Sequence, residues 1–164
     1  MGTLELFKET DKLTIYSPKI QGNKDTEFQI FLESYANTDN AYYKKDFDAI
    51  ITTIAKMLYD CGARENLFRP EIGNVKAIPL YIRQYKKKEL GTVRLYCIRI
   101  SDKIIILGNG TIKKVQTNQE DKELIRITKY LKDIEHLIYT ESKKKHIQYN
   151  DFEKIKSLIE QLKI

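Results

Sequence analysis

The chain has 164 residues, 41% of them hydrophobic, with two cysteines, no tryptophan and a formal charge of +6. That length and composition predict one compact domain over residues 1–164. No run of eighteen apolar residues and no charged-then-apolar start is present, which excludes a membrane-spanning helix and argues against a cleaved signal peptide, so a cytoplasmic location is expected.

In chain order, residues 4–8 and 12–17 alternate loosely about a Glu9-Thr10-Asp11 turn signal and predict a β-hairpin, closed by Pro18 and Gly22. Residues 27–35 keep Phe28, Ile30 and Leu32 in phase at period 2, the pattern of a strand with one buried face. Asn37-Thr38-Asp39-Asn40 then offers capping side chains, and Phe47, Ile50, Ile51, Ile54 and Leu58 follow at helical spacing. An amphipathic helix ending near Cys61-Gly62 is expected. Residues 65–74 contain Arg69-Pro70 and Gly73 and read as a turn or a brief helix.

Residues 79–87, 92–100 and 104–107 are β-rich runs joined by short connections, which predicts an antiparallel meander. The third run is continuously apolar, as suits a central strand covered on both faces, and Gly108-Asn109-Gly110 reads as its abrupt end. Leu124, Ile127, Leu131, Ile134 and Ile138 form one stripe and predict a long helix over residues 121–138, interrupted at Ser142-Lys143-Lys144-Lys145. Asn150 and Glu153 resemble a capping box ahead of a short terminal helix bearing Phe152, Ile155, Ile159 and Leu162. The sum is an α+β fold: an antiparallel sheet packed against two main helices, with an N-terminal hairpin over residues 1–22 and a helical extension over 142–164.

The excess positive charge is local. Residues 1–80 carry a net −2 and residues 115–164 a net +1, whereas residues 81–114 hold nine basic side chains against Glu89 and Asp102, a net +7. A polyanion-binding surface requires such clustering, because each neutralised phosphate releases condensed counterions. The bland alternative is a solvated basic face with no partner.

Most catalytic chemistries lack their residues. There is no Gly-rich phosphate loop, so no nucleotide cofactor is expected. Cys61 and Cys97 do not have a metal-binding spacing and read as reduced, partly buried thiols. His136 and His146 have no partner at ligand spacing, so neither a metal nor a histidine catalyst is expected, and His136 reads as a helix-surface residue.

What remains is Arg, Lys and Tyr on strands. Period-2 alternation puts Tyr81, Arg83, Tyr85 and Lys87 on one face, and Arg94 and Tyr96 with Ile98, while Arg99 points the other way. Interleaved aromatic and guanidinium groups can stack unpaired bases and contact phosphates, the usual way of holding single-stranded RNA. The competing reading is that these tyrosines are ordinary half-buried strand residues. Such a set can also cleave RNA without a metal, because the 2′-hydroxyl is an internal nucleophile. Arg would stabilise the charge on the phosphate, a Lys of lowered pKa would act as base, and Tyr would orient or relay a proton.

The order of these pieces resembles the RelE/ParE toxin superfamily, in particular its HigB-like, phage-derived branch. The likeness rests on the strand expected over residues 27–32, the helical section over 40–62, Arg94-x-Tyr96 in a strand, the apolar run over 104–107, Lys113-Lys114, and the helix from Asp121, and it spans residues 27–138. It implies the toxin of a toxin–antitoxin pair, most often a metal-independent, ribosome-dependent endoribonuclease acting on mRNA and neutralised by an antitoxin, here a small helix-turn-helix protein. By position, Arg94 would stabilise the phosphate with Tyr96 beside it, and Lys113 and Lys114 would contact RNA at the site's edge. Lys86, Lys87 and Lys88 would hold ribosomal or messenger phosphate, with Arg83, Tyr85 and Arg99 as further RNA contacts. Gly110-Thr111-Ile112 stands where the family has an aromatic before the lysine pair, and no histidine lies in this region. The alternative from another class is a non-catalytic binding module of this fold, such as a ParE-like inhibitor of a DNA-processing enzyme.

Overall fold

The computed structural model describes residues 2–82, 91–114 and 121–164. Within them, six strands form one mixed sheet in the order β1-β2-β6-β5-β4-β3, and four helices cover its two faces. The strands are β1 (Gly2–Glu9), β2 (Thr14–Ile20), β3 (Arg69–Ile72), β4 (Val75–Ile78), β5 (Thr92–Ser101) and β6 (Ile104–Lys113), and the helices α1 (Glu27–Tyr35), α2 (Ala41–Lys56), α3 (Lys122–Lys144) and α4 (Phe152–Gln161).

The α+β class holds, and so does the N-terminal hairpin: β1 and β2 pair antiparallel from Gly2–Ile20 to Glu9–Thr14. Thr10 shapes the turn, accepting the backbone N–H groups of Lys12 and Leu13 while its hydroxyl donates to the Leu58 carbonyl. The sheet departs from a purely antiparallel arrangement at one seam, where β2 runs parallel to β6 over Thr14–Ile104, Ile15–Ile105 and Tyr16–Ile106. After Tyr16 the pairing stops. Ser17 fills the parting, donating to the Leu107 carbonyl at 2.7 Å and accepting the N–H of Phe28 at 3.0 Å.

Residues 27–35 form helix α1, not a strand. Thr26 and Gln29 make a reciprocal capping box, with each side chain accepting from the other's backbone N–H. Phe28, Phe31, Leu32 and Tyr35 then fall at helical spacing, and Phe28 and Phe31 are buried. Period 2 and period 3.6 share Phe28 and Leu32; the cap decides between them.

Helix α2 begins at Asn40, whose side chain accepts the N–H groups of Tyr42 and Tyr43, and runs through a wide final turn over Met57–Cys61 to Gly62. Gly62 has φ of +72°, and a Cβ there would lie 2.8 Å from the Asp102 carbonyl oxygen, so glycine is required.

The meander is shifted from its expected place. β4 (Val75–Ile78) pairs with β5, residues 79–82 are not strand, and the rest of the expected run, 83–87, lies outside the described residues. A two-residue Gly73-Asn74 turn joins β4 to β3 as an antiparallel hairpin. The apolar run at 104–107 does lie in a central strand, but β6 continues through Gly108-Asn109-Gly110 to Lys113. These glycines admit neighbours instead of ending the strand. A Cβ on Gly108 would meet the Leu131 methyls of α3 at 3.0 Å, and one on Gly110 the ring of Phe31 at 2.6 Å and the Arg94 carbonyl oxygen at 2.2 Å.

Two apolar layers result. Val93, Leu95, Cys97, Ile105 and Leu107 pack on one face under α1 and α2, with Phe31, Phe47, Ile50 and Ile54. Tyr96, Ile98, Ile104 and Ile106 pack on the other under α3 and α4, with Ile127, Leu131, Ile134, Ile138, Ile155 and Ile159. At roughly 1.5–3 kcal/mol for each fully buried large aliphatic side chain, these layers supply the main stabilisation. Helix α3 passes Ser142 without interruption and ends at Lys144, and α4 is capped by Asp151 accepting from Lys154 N–H, one residue later than Asn150 and Glu153 suggest. The hydroxyl of Tyr16 donates to Glu160 at 2.7 Å, tying α4 to β2.

Candidate anion site

The sheet face bearing Arg94 and Tyr96 is not open, because α3 and α4 cover it. Arg94, on β5, has no solvent exposure at all. Its Nη2 donates to the Pro79 carbonyl at 3.0 Å, and Nη1 lies 3.3 Å from Oε1 of Glu71, which β3 carries in. The other carboxylate oxygen, Oε2, accepts from Lys113 Nζ of β6 at 2.8 Å. The cluster grades outward: Arg94 is 0% exposed, Glu71 9% and Lys113 29%. Tyr96 lies wholly buried on the same face.

These groups perturb one another. Burial lowers the pKa of Arg94, and the Glu71 carboxylate opposes that shift by favouring the charged guanidinium. Burial raises the Tyr96 phenol, and the negative charge of Glu71 raises it further, so Tyr96 is a neutral donor and not a phenolate base. Among the described residues, Arg94 Nε and Nη1, Glu71 Oε1 and Tyr96 Oη are buried with no hydrogen-bond partner. Buried polar groups are ordinarily satisfied, so this concentration of unused donors marks the cluster as unusual.

The structure therefore brings together Arg94, Tyr96 and Lys113. Lys114 follows at the exposed end of β6. Arg99 stands elsewhere, as its strand parity requires: Nε donates to the Ala63 carbonyl at 2.7 Å, and Nη2 pairs with Asp102. Arg83, Tyr85, Lys86, Lys87 and Lys88 lie outside the described residues. Tyr81 leads toward them, with its hydroxyl 2.9 Å from the buried Asp46.

Glu71, the centre of the cluster, does not stand out as a functional residue in the sequence. The available signal is the Gly73-Asn74 pair between Arg69-Pro70-Glu71-Ile72 and Val75-Lys76-Ala77-Ile78, a two-residue hairpin pattern that puts Glu71 on a strand. Cys97 is buried and its thiol is pushed up by burial, which makes it inert, while His136 and His146 are exposed. Among the described residues, no three His, Cys, Asp or Glu side chains group as metal ligands, and no helix is long and apolar enough to cross a membrane.

The chain matches no family model, no curated protein and no solved structure.

Proposed function

We propose that the chain engages RNA as the toxin of a toxin–antitoxin pair, cleaving ribosome-bound mRNA without a metal. The observation that carries this reading is the convergence of Arg94 and Lys113, from neighbouring strands, on one anion beside Tyr96. Two cations held at fixed spacing, one a guanidinium able to bind bidentately, form a natural receptor for a phosphate. Tyr96, kept protonated by its surroundings, is a proton donor or orienting group in such a site. Lys114 and the basic residues of 83–88 would extend the contact along the phosphate backbone. A helix-turn-helix antitoxin and a cytoplasmic site of action belong to the same reading.

A second reading is favoured by the burial of Arg94. A guanidinium with no exposure contacts nothing in solution until something moves, which suits a non-catalytic module of RelE/ParE type that binds nucleic acid or protein. Inducing the wild-type chain in cells and following total mRNA separates the two. Fragmented mRNA with growth arrest is expected for the nuclease, and arrest with intact mRNA would sink it in favour of the binder. Lys113→Ala combined with Lys114→Ala is the preferred loss-of-function variant, because Arg94→Ala also removes a core side chain.

A further inference from the structure

Strand β3 is held to the molecule in an unusual way. It is an edge strand of four residues, and Arg69, Pro70 and Ile72 are exposed. Its register with β4 is irregular at Glu71, between Pro70–Lys76 and Ile72–Val75. Only Glu71 turns inward, and both of its oxygens face cations: Oε1 lies 3.3 Å from Arg94 and Oε2 2.8 Å from Lys113. Among the described residues, and beyond its backbone pairing with β4, this strand is therefore docked mainly through the ion pairs of a single side chain. Arg69 adds one further tie, from Nη1 to the Leu80 carbonyl.

The cation pair is under-used by that carboxylate. Arg94 is wholly buried, yet its Nε and Nη1 make no hydrogen bond among the described residues, and neither does the hydroxyl of Tyr96. A carboxylate brings two oxygens on one plane. A phosphate brings more, tetrahedrally arranged, and can take the idle donors as well. Leaving Arg94 with no anion would strand a buried charge, so the favourable route is exchange of one anion for another and not simple departure of Glu71.

We infer that Glu71 is a built-in anion that keeps the Arg94–Lys113 site closed, and that a phosphate group of a polyanionic ligand displaces it, releasing β3 from the sheet edge. The inference rests on the phosphate-binding reading of the site and adds to it how a buried Arg94 becomes available. Lys113, partly exposed, is the point of entry: the incoming phosphate meets it first, then Arg94 as Glu71 swings out. The β3–β4 turn has room to move, since Gly73, with φ of +57°, faces open space and a Cβ placed on it would meet no atom within 4 Å.

Tripolyphosphate and a single-stranded RNA oligonucleotide are the probes, titrated into the full chain and into Glu71→Gln, with circular dichroism to check folding. Glu71→Gln is expected to bind tripolyphosphate about tenfold more tightly than wild type, and adding Arg94→Gln is expected to abolish the gain. In the wild-type chain, excess tripolyphosphate is expected to speed hydrogen exchange at the backbone amides of Arg69, Glu71 and Ile72. A folded Glu71→Gln with unchanged or weaker tripolyphosphate affinity overturns the inference. If that variant does not fold, unchanged or slower exchange in wild type overturns it. A tripolyphosphate gain with no RNA binding by either protein upholds the latch and removes the RNA reading. Equal RNA binding by both proteins with no tripolyphosphate gain removes the latch alone.

Discussion

Asp46, wholly buried on α2, accepts the backbone N–H of Val93 at 3.0 Å. The same carboxylate accepts the hydroxyl of Tyr81 at 2.9 Å through its other oxygen. One helix side chain thereby fixes the chain both where it leaves the sheet, before the basic residues 83–88, and where it returns as β5. Asp46 is invisible as a functional residue in the helical pattern, since it sits one residue before Phe47 in an otherwise ordinary amphipathic stripe.

Replacing Asp46 with Ala leaves the buried N–H of Val93 unmet and takes this acceptor from the Tyr81 hydroxyl. Tyr81 is 41% exposed and open to water, so the stranded buried group is the Val93 N–H, and the expected loss is about 1–3 kcal/mol. Asp46→Asn retains one acceptor oxygen and is expected to lose less. Urea denaturation of the two variants checks the order, and a loss below about 0.5 kcal/mol for Asp46→Ala would show that water replaces the carboxylate.

The two glycines of β6 differ in what surrounds them. A Cβ on Gly110 would sit 2.2 Å from the Arg94 carbonyl oxygen, a backbone atom, whereas one on Gly108 meets nothing closer than the flexible methyls of Leu131 at 3.0 Å and the Tyr96 carbonyl oxygen at 3.1 Å. Gly110→Ala is therefore expected to cost about 3 kcal/mol or more, and Gly108→Ala about 1 kcal/mol. Thermal melts of both would test this, and similar melting points would count against so close an approach of β5 to β6 at Gly110.

Those glycines also show where local sequence patterns stop being informative. Gly-Asn-Gly carries turn chemistry, and nothing in its neighbours reveals that Phe31 and Leu131 approach the strand from opposite faces. Residues 27–35 are ambiguous for a different reason, because Phe28 and Leu32 satisfy both periods and the tie is broken by Thr26, outside the apolar pattern. The helices α2, α3 and α4, the hairpin and β5 are legible, since each carries an unbroken period over several turns or a full strand. Of the candidate site, the order Arg94, Tyr96, Lys113 and Lys114 along β5 and β6 is legible, and their setting is not. Arg94 meets Glu71, 23 positions earlier in the numbering, and the Pro79 carbonyl, while α3 covers Tyr96 on the same face, and none of these is encoded near Arg94.

The capping box of α1 gives a smaller, local test. Thr26→Ala removes the acceptor of the Gln29 N–H and is expected to cost about 1 kcal/mol, while Thr26→Ser should be nearly neutral. A neutral Thr26→Ala would mean that the packing of Phe28 and Phe31, and not the cap, holds the helix.

Glu9 and Lys156 join the hairpin to α4 with N···O at 2.8 Å. The hydrogen bond from Lys156, with a second from Thr14, lowers the Glu9 pKa below its ordinary value of 4.5, and Glu9 in turn raises Lys156 above 10.5. A lowered carboxyl pKa contributes stability that is fully present above the unfolded value and is lost as pH falls through the folded one. A raised ammonium pKa contributes stability present below the unfolded value and lost as pH rises through the folded one. The pair therefore supports the fold across the neutral range and fails at both ends. Both groups are largely solvated, so the contribution is under about 1 kcal/mol. Lys156→Ala is expected to lower stability slightly at pH 7, to match wild type in strong acid, and to weaken the acid dependence just below pH 4.5. Denaturation midpoints measured from about pH 3 to pH 7 would check it, and parallel curves for the two proteins would remove the pair as a source of pH dependence.

Lys113 offers the clearest separation of binding from folding. Its side chain is partly exposed, and without it Glu71 still neutralises Arg94 at 3.3 Å, so Lys113→Ala is expected to keep the fold. If the cation contacts a phosphate in RNA, its loss removes one released counterion, and the slope of log K against log salt for a single strand falls by about 0.7. Lys114→Ala is expected to act in the same direction, and the double variant to sum the two changes, since each cation releases its own counterion. Titrations of a fluorescent single-stranded RNA at several salt concentrations give the slopes directly. An unchanged slope in a folded Lys113→Ala would place the RNA contact elsewhere on the molecule and would leave the Arg94–Lys113 pair as an internal support of β3.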